Sequence, residues 1–365
     1  MDKKEKIRVV TENIERLENK DFSLIFYVLD TKGNPSSALE YIYKTALTLH
    51  KMGYNVKMIH NEKDFIGVGD WLGEEYANLP HANIEKENVS ITASDFLFIP
   101  EIFANVMMQT KKLPCKRVVL VQNAQNVTEF MPVSQNMENL GITDAIVTTK
   151  AQGEKFLSYF PDVRTHVVSP SISPIFHRGD KPQRLKINII SRDQTEVNRI
   201  VKPFYWRNPV YRFVSISDLR GVTQEVFAEA LRDAAITVWC DDETPFGYTL
   251  LEALRSGTMV FAKIPDEPTE WMLNDEGNLT TSIIWFDSID TLTEMLPSAV
   301  RSWTNFDIPD EVYNDQKKFD ELYSEEKQAA EIEYVYIKTI VDRRLNEFKE
   351  VLAELNNDNN EEESE

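Results

Sequence analysis

The chain has 365 residues, 42% of them hydrophobic and 10% aromatic, which suits two ordinary globular cores and excludes a disordered protein. Sixty acids against 40 bases leave a net charge of −20, and an acidic surface without a local basic patch repels polyphosphate, so nucleic acid is disfavoured as a partner. No apolar run approaches the ~20 residues of a membrane-spanning helix, and the opening Met1-Asp-Lys-Lys-Glu-Lys6 does not read as a secretion signal.

The first twenty residues read as a charged helix. Apolar runs then alternate with helical patterns from about residue 22 to 300, as in a layered α/β protein with parallel sheets. The first unit is a strand at 24–29, a loop through Gly33-Asn34-Pro35-Ser36, a helix to Met52 and a strand at 55–59. Residues 61–94 have weak periodicity and are assigned little structure. Further strands are expected at 96–99, 117–121, 145–148 and 166–168. Residues 169–185 hold Pro170, Pro174, Gly179 and Pro182 among polar residues, the composition of a linker. The alternation then restarts, with strands expected at 186–190, 211–216, 236–240, 258–262 and 282–286.

From about Glu325 to Leu355 the pattern is a long amphipathic helix, with Ile337, Val341, Leu345, Phe348, Val351, Leu352 and Leu355 at spacings of 3 and 4. It either packs on the chain's own body, the first domain above all, or forms the seam of a homodimer. Residues 321–365 carry 14 acids and five bases, and Asn356–Glu365 reads as a disordered acidic tail. Cys115 and Cys240 lie in or beside apolar strands and read as reduced core residues, which points to a reducing, cytoplasmic location.

The segment Glu243-Thr-Pro-Phe-Gly247-Tyr-Thr-Leu-Leu-Glu252-Ala-Leu-Arg-Ser-Gly257 carries the most chemistry. It follows an apolar strand, opens a helix near Gly247 and closes it at Gly257. Its polar residues therefore sit at the carboxyl end of a strand, where open parallel sheets bind ligands. The helix start offers N–H groups and a partial positive charge to a phosphate, and glycine lets backbone approach a ligand closely. Tyr248, Thr249, Leu250 and Leu251 would supply those amides. Glu252 lies too far along to cap the helix and is placed to accept from a hydroxylated ligand.

This segment resembles the sugar-nucleotide signature of retaining GT-B glycosyltransferases, in particular their large family 4 (glycosyl transferases group 1). That signature runs Glu-x-Phe-Gly, four residues, a second Glu, Ala, and a Gly soon after. Phe246, Gly247, Glu252, Ala253 and Gly257 match it. The first acid does not: its position is Thr244, and Glu243 stands one residue early. The resemblance implies two Rossmann-like parallel-sheet domains facing a cleft, plus C-terminal helices. Residues 1–172 would be the acceptor-side domain, 178–310 the nucleotide-sugar domain, and 311–355 the C-terminal helices. Pattern-level likeness covers roughly residues 23–300.

It also implies the reaction: a sugar moves from a nucleoside-diphosphate sugar, such as a UDP- or GDP-sugar, to an acceptor hydroxyl with retention and without metal. The acceptor, whether glycan, lipid-linked or small molecule, is left open. In the family an Arg and, five residues on, a Lys neutralise the diphosphate. Arg192 matches the Arg; the Lys position falls on Val197, with Lys202 or Arg199 as substitutes further along. Glu243 would orient the sugar, and Gly33 and Asn34 lie where the family has its glycine-rich loop. Pro100-Glu101 and Gln122-Asn123 end strands and are further hydroxyl-binding candidates. Asp241-Asp242-Glu243 as a divalent-cation site is the lesser reading. The histidines show no metal-ligand spacing, and neither Gly-x-Ser-x-Gly nor a P-loop occurs. Two alternatives remain: a transferase-like domain that binds a sugar nucleotide or a protein without turnover, and a transferase acting on nucleic-acid bases.

Overall fold

Short apolar strands separated by helices bury both faces only when the strands run parallel beneath helical layers. A computed structural model describes residues 2–180, 183–241, 245–305, 319 and 321–362. It divides into two compact units. The first comprises Met1–Gly69, Gly73–Ser169 and Gln328–Glu365, and the second Asp70–Leu72 and Pro170–Lys327.

The first unit is built on seven parallel strands: β1 (Ser23–Tyr27), β2 (Asn55–His60), β3 (His81–Asn83), β4 (Phe96–Pro100), β5 (Lys116–Val121), β6 (Asp144–Val147) and β7 (Arg164–Val167). Their spatial order is β3-β2-β1-β4-β5-β6-β7. The chain moves one way from β1 to β2 and the other way to β4, which makes the β1/β4 boundary a topological switch point. The edge strand β3 lies inside the 61–94 segment to which the sequence assigned little structure. Its three residues show no alternation, and pairing of Met58 with His81 is what sets it. Two short helices, Gly69–Leu72 and Glu74–Ala77, fill the same stretch.

The second unit has five parallel strands: β8 (Arg184–Ile190), β9 (Ser215–Asp218), β10 (Ala234–Trp239), β11 (Met259–Lys263) and β12 (Ile284–Phe286), ordered β12-β11-β10-β8-β9. Every residue of β10 is buried. The order reverses between β8 and β10, a second switch point. The strand expected at 211–216 begins only at Ser215. Pro209 opens a 3-10 turn, Pro209–Tyr211, and Arg212 and Phe213 face solvent instead of entering the sheet.

The C-terminal helix returns to the first unit. It runs as Glu325–Ile332, a π-helical stretch Glu333–Val341, and Asp342–Glu362. Within it Tyr336 is fully buried, its ring 4.9 Å from Phe98 and 6.1 Å from Phe26, which themselves stack at 4.8 Å. Ile337, Val341 and Phe348 are buried as well, Leu345, Leu352 and Leu355 are half-buried, and Val351 stays exposed. The N-terminal helix Lys3–Glu18 joins it through Glu18 and Lys349, 2.7 Å apart. The last helix continues to Glu362, past the start of the expected tail, because Asn356–Glu362 contains neither glycine nor proline to stop it.

One carboxylate ties this helix to the sheet. Asp144, fully buried at the start of β6, meets Lys116 Nζ at 3.0 Å, Arg164 Nη2 at 2.9 Å, His166 Nε2 at 3.0 Å and Arg343 Nη1 at 2.5 Å. Burial works against its charge, but the hydrogen bonds from His166 and Arg164 and the Lys116 ammonium outweigh it and hold the carboxyl far below the usual range. A depressed folded pKa gives stability that is present above the unfolded value of about 3.9 and lost as pH falls below it. Asp144→Asn should therefore cost about 3 kcal/mol at pH 7, because it removes the one buried anion on which four basic side chains converge. The gap between the urea midpoints of the two proteins should start to narrow only below about pH 4; equal midpoints at pH 7 would remove the hub's assigned role.

Candidate functional site

At the carboxyl end of β10 the backbone turns through Gly247, with φ +68°, into helix Tyr248–Arg255. Only glycine takes that conformation without strain, and here space is short too: a Cβ would lie 2.7 Å from Met272 Cε. Trp271 Nε1 donates to the Phe246 carbonyl at 2.8 Å and fixes the approach to the turn. Trp239, the last residue of β10, donates from Nε1 to Thr249 Oγ1 at 3.0 Å and ties strand to helix.

Among the described residues this helix start has no side-chain cap, and its dipole suits an anion. The structure corrects the proposed donor set. Leu250 and Leu251 both give their N–H groups to the Gly247 carbonyl at 3.1 Å and are already committed within the turn. Thr249 remains as a first-turn amide with no acceptor inside the helix. Tyr248 is buried, its ring edge-on to Phe246 at 5.1 Å. Glu252 is only 4% exposed, so it is not a solvent-facing helix glutamate; its backbone carbonyl accepts from the Ser256 N–H at 3.0 Å.

Arg192 follows β8 and sits across the switch point from Gly247. Its Nε lies 2.9 Å from Asp241 Oδ1, just beyond β10, while 61% of its side chain remains exposed. The following helix, Gln194–Arg207, is capped by Asp193, whose carboxylate accepts from Thr195 N at 2.7 Å. That acid closes this second helix start to an anion. Val197 is buried in the core and carries no charge to the site. Arg199 and Lys202 lie on the exposed face of the same helix. Lys202 is nine residues past the cap, about 13 Å along the axis, and is not brought together with Arg192. Arg220, which the sequence analysis did not single out, does reach this edge: it follows β9, pairs with Asp218 and donates to Gln194. Glu243 and Thr244 lie outside the described residues.

In the first unit, Gly33 (φ +79°) and Asn34 lie in the loop after β1. Asn34 folds back, its Nδ2 donating to the Thr31 carbonyl at 2.8 Å. The loop is anchored by Asp30, which accepts from Lys32 N at 3.0 Å, Lys32 Nζ at 3.0 Å and Ile66 N at 2.9 Å. Burial opposes ionisation of Asp30, yet these donors hold its carboxyl below the ordinary range. Across the switch point, buried Glu101 accepts from Asn123 N at 2.9 Å and Asn126 Nδ2 at 3.2 Å; burial nevertheless pushes its pKa up. Gln122 donates to the Ala38 carbonyl at 2.9 Å. His60 and His81, 21 residues apart in sequence, come within 6.1 Å between ring centres, and burial lowers both, His81 to about 4.

Both sheets thus place glycine turns and polar side chains at the carboxyl edge, beside a reversal of strand order. No protein-family model matches the chain, and no curated protein matches it by sequence. Solved structures do match. A sucrose-phosphate synthase from Thermosynechococcus elongatus aligns with a TM-score of 0.59 at 12% identity, over 87% of this chain and 98% of that one. A glycosyltransferase from Rickettsia africae aligns at 0.55 and 11% identity, over 92% and 98%. The fold is that of the GT-B glycosyltransferases.

Gly247→Ala should destabilise the second unit by about 3 kcal/mol, adding a clash to left-handed strain. Gly33→Ala, with nothing within 4 Å of the new Cβ, should cost only about 1 kcal/mol. Thermal unfolding of both variants checks the contrast, and equal losses would contradict it.

Proposed function

We propose that the chain is a glycosyltransferase that moves a sugar from a nucleoside-diphosphate sugar to an acceptor hydroxyl, with retained configuration and without a metal. The observation that carries this reading is the Gly247 corner: a helix start with no side-chain cap among the described residues, a buried carboxylate, Glu252, one turn further on, and Arg192 paired with Asp241 just beyond the same strand, β10. The diphosphate would sit on the Thr249 amide and helix dipole, with the Arg192 guanidinium beside it. Glu252 would accept from the ribose hydroxyls, and Glu243 would orient the sugar.

Departure of the nucleoside diphosphate leaves negative charge on its terminal phosphate. Preorganised donors at that position lower the barrier because they need no rearrangement as the charge grows. Arg192 is held near the site by Asp241, so the donor exchanges one anionic partner of the guanidinium for another. We take Arg220, which follows β9 and donates to Gln194, as the candidate for the second cation that Val197 lacks. Retention rests on the likeness of residues 243–257 to the retaining families. In that reading the leaving phosphate itself assists the incoming hydroxyl, with positioning supplying much of the rate. A reducing cytoplasm suits Cys115 and Cys240, both buried and not joined in a disulfide; burial pushes the Cys115 thiol up to about 11. Among the described residues no helix is long and apolar enough to cross a membrane.

A second reading has one observation in its favour. With Val197 in the core, the family's second cation is missing from its usual position, which suits a domain that binds a sugar nucleotide without turning it over. Calorimetric titration with UDP, GDP, ADP and their sugars, with and without a divalent ion, decides whether a donor binds. Arg192→Ala and Glu252→Ala should each weaken the preferred nucleotide at least about tenfold. Unchanged affinity in both would exclude this corner as the donor site. Donor hydrolysis and product anomer analysis by NMR then separate transfer from binding alone.

A further inference from the structure

Residues 197–217 contain no acid and four bases, Arg199, Lys202, Arg207 and Arg212, in a chain of net charge −20. All four side chains belong to exposed residues. Within the same stretch three large apolar side chains stand open to solvent: Trp206 is 72% exposed, Val210 73% and Phe213 66%. Helical spacing of 3 and 4 puts Arg199, Lys202 and Trp206 on one face of helix Gln194–Arg207, opposite the buried Val197, Ile200 and Phe204. The 3-10 turn Pro209–Tyr211 folds back on the end of that helix. Tyr211 stacks on Phe204 at 6.2 Å, and Tyr205 Oη donates to the Val214 carbonyl at 2.7 Å. Trp206, Val210 and Phe213 thus lie within eight consecutive residues at the end of that helix and the turn after it, interleaved in the sequence with Arg207 and Arg212.

We propose that this patch docks the protein on a bilayer containing anionic lipid. Basic groups are drawn to the negative headgroup layer, and a tryptophan and a phenylalanine prefer the interface between headgroup and chain. Single strands of nucleic acid use aromatic platforms in a groove. Here the three apolar side chains protrude, with about 70% of their surface open, and Val210 has no π face on which a base could stack. A flat anionic surface with an apolar interior meets both halves of the patch. The helix runs from the carboxyl edge of the sheet toward the amino edge, about 21 Å over its 14 residues, so docking leaves the Gly247 corner uncovered. The inference does not depend on the transfer reading.

Full-length protein would be sedimented with phosphatidylcholine vesicles and with equal mixtures of phosphatidylcholine and phosphatidylglycerol. Binding should be at least about tenfold tighter to the anionic vesicles and should weaken as salt is raised. The triple change Trp206→Ser, Val210→Ser and Phe213→Ser, and separately Arg199→Ser with Lys202→Ser, should each lower it about tenfold or more, with thermal unfolding unchanged. Brominated lipid should quench tryptophan emission in the wild type and lose that effect in Trp206→Phe. Wild-type protein that ignores anionic vesicles, or variants that bind as well as it does, would overturn the proposal. Binding to DNA oligonucleotides without binding to vesicles would overturn it too, and would assign the patch to nucleic acid.

Discussion

The candidate site depends on one backbone constraint, the left-handed turn at Gly247. It opens helix Tyr248–Arg255, which follows β10 and its last residue Trp239 in the chain. The Trp271 indole on the Phe246 carbonyl and the Met272 methyl above the glycine leave no room for another path. The Trp239 indole, donating to the Thr249 hydroxyl at 3.0 Å, ties the start of that helix to the end of β10. Glu252, one turn along the helix, is then drawn into the interior, where a carboxylate persists only with partners.

The same logic recurs in the first unit with different chemistry. The switch point between β1 and β4 carries the Gly33 loop on one side and Glu101 on the other. The loop is stiffened by the Asp30–Lys32–Glu62 network, with Lys32 Nζ 3.0 Å from both carboxylates. Glu101 organises the Asn123–Asn126 turn beyond β5. One unit thus presents an open helix start with an arginine, and the other presents acids and amides. The first arrangement suits an anion and the second suits hydroxyl groups.

Much of this was legible in the residues. An apolar hexad ending at Trp239, a Phe-Gly pair and a glycine ten residues on describe β10, the turn and the helix because each residue type has a local backbone cause. Glu252 lies on the buried side of that helix. What failed to show was what depends on partners far along the chain. β3 is a strand only because β2 lies beside it. Asp144 is a hub because Lys116, Arg164, His166 and Arg343 converge on it, the last from 199 residues away. The commitment of the Leu250 and Leu251 amides follows from the exact tightness of one turn, which a sequence does not specify. The strand expected at 211–216 failed for a local reason, since Pro209 made a 3-10 turn where the apolar pattern resembled a strand.

The C-terminal helix closes on the unit in which the chain began. Topologically, then, the second unit is an insertion between two parts of the first. During synthesis residues 170–327 are all available before Tyr336 and Arg343 exist, so the later unit can complete its core while the earlier one still exposes Phe26 and Phe98 and Asp144 lacks one of its four basic partners. Order of emergence and order of folding are reversed, and the interval between them is when the nascent first unit most needs protection from aggregation.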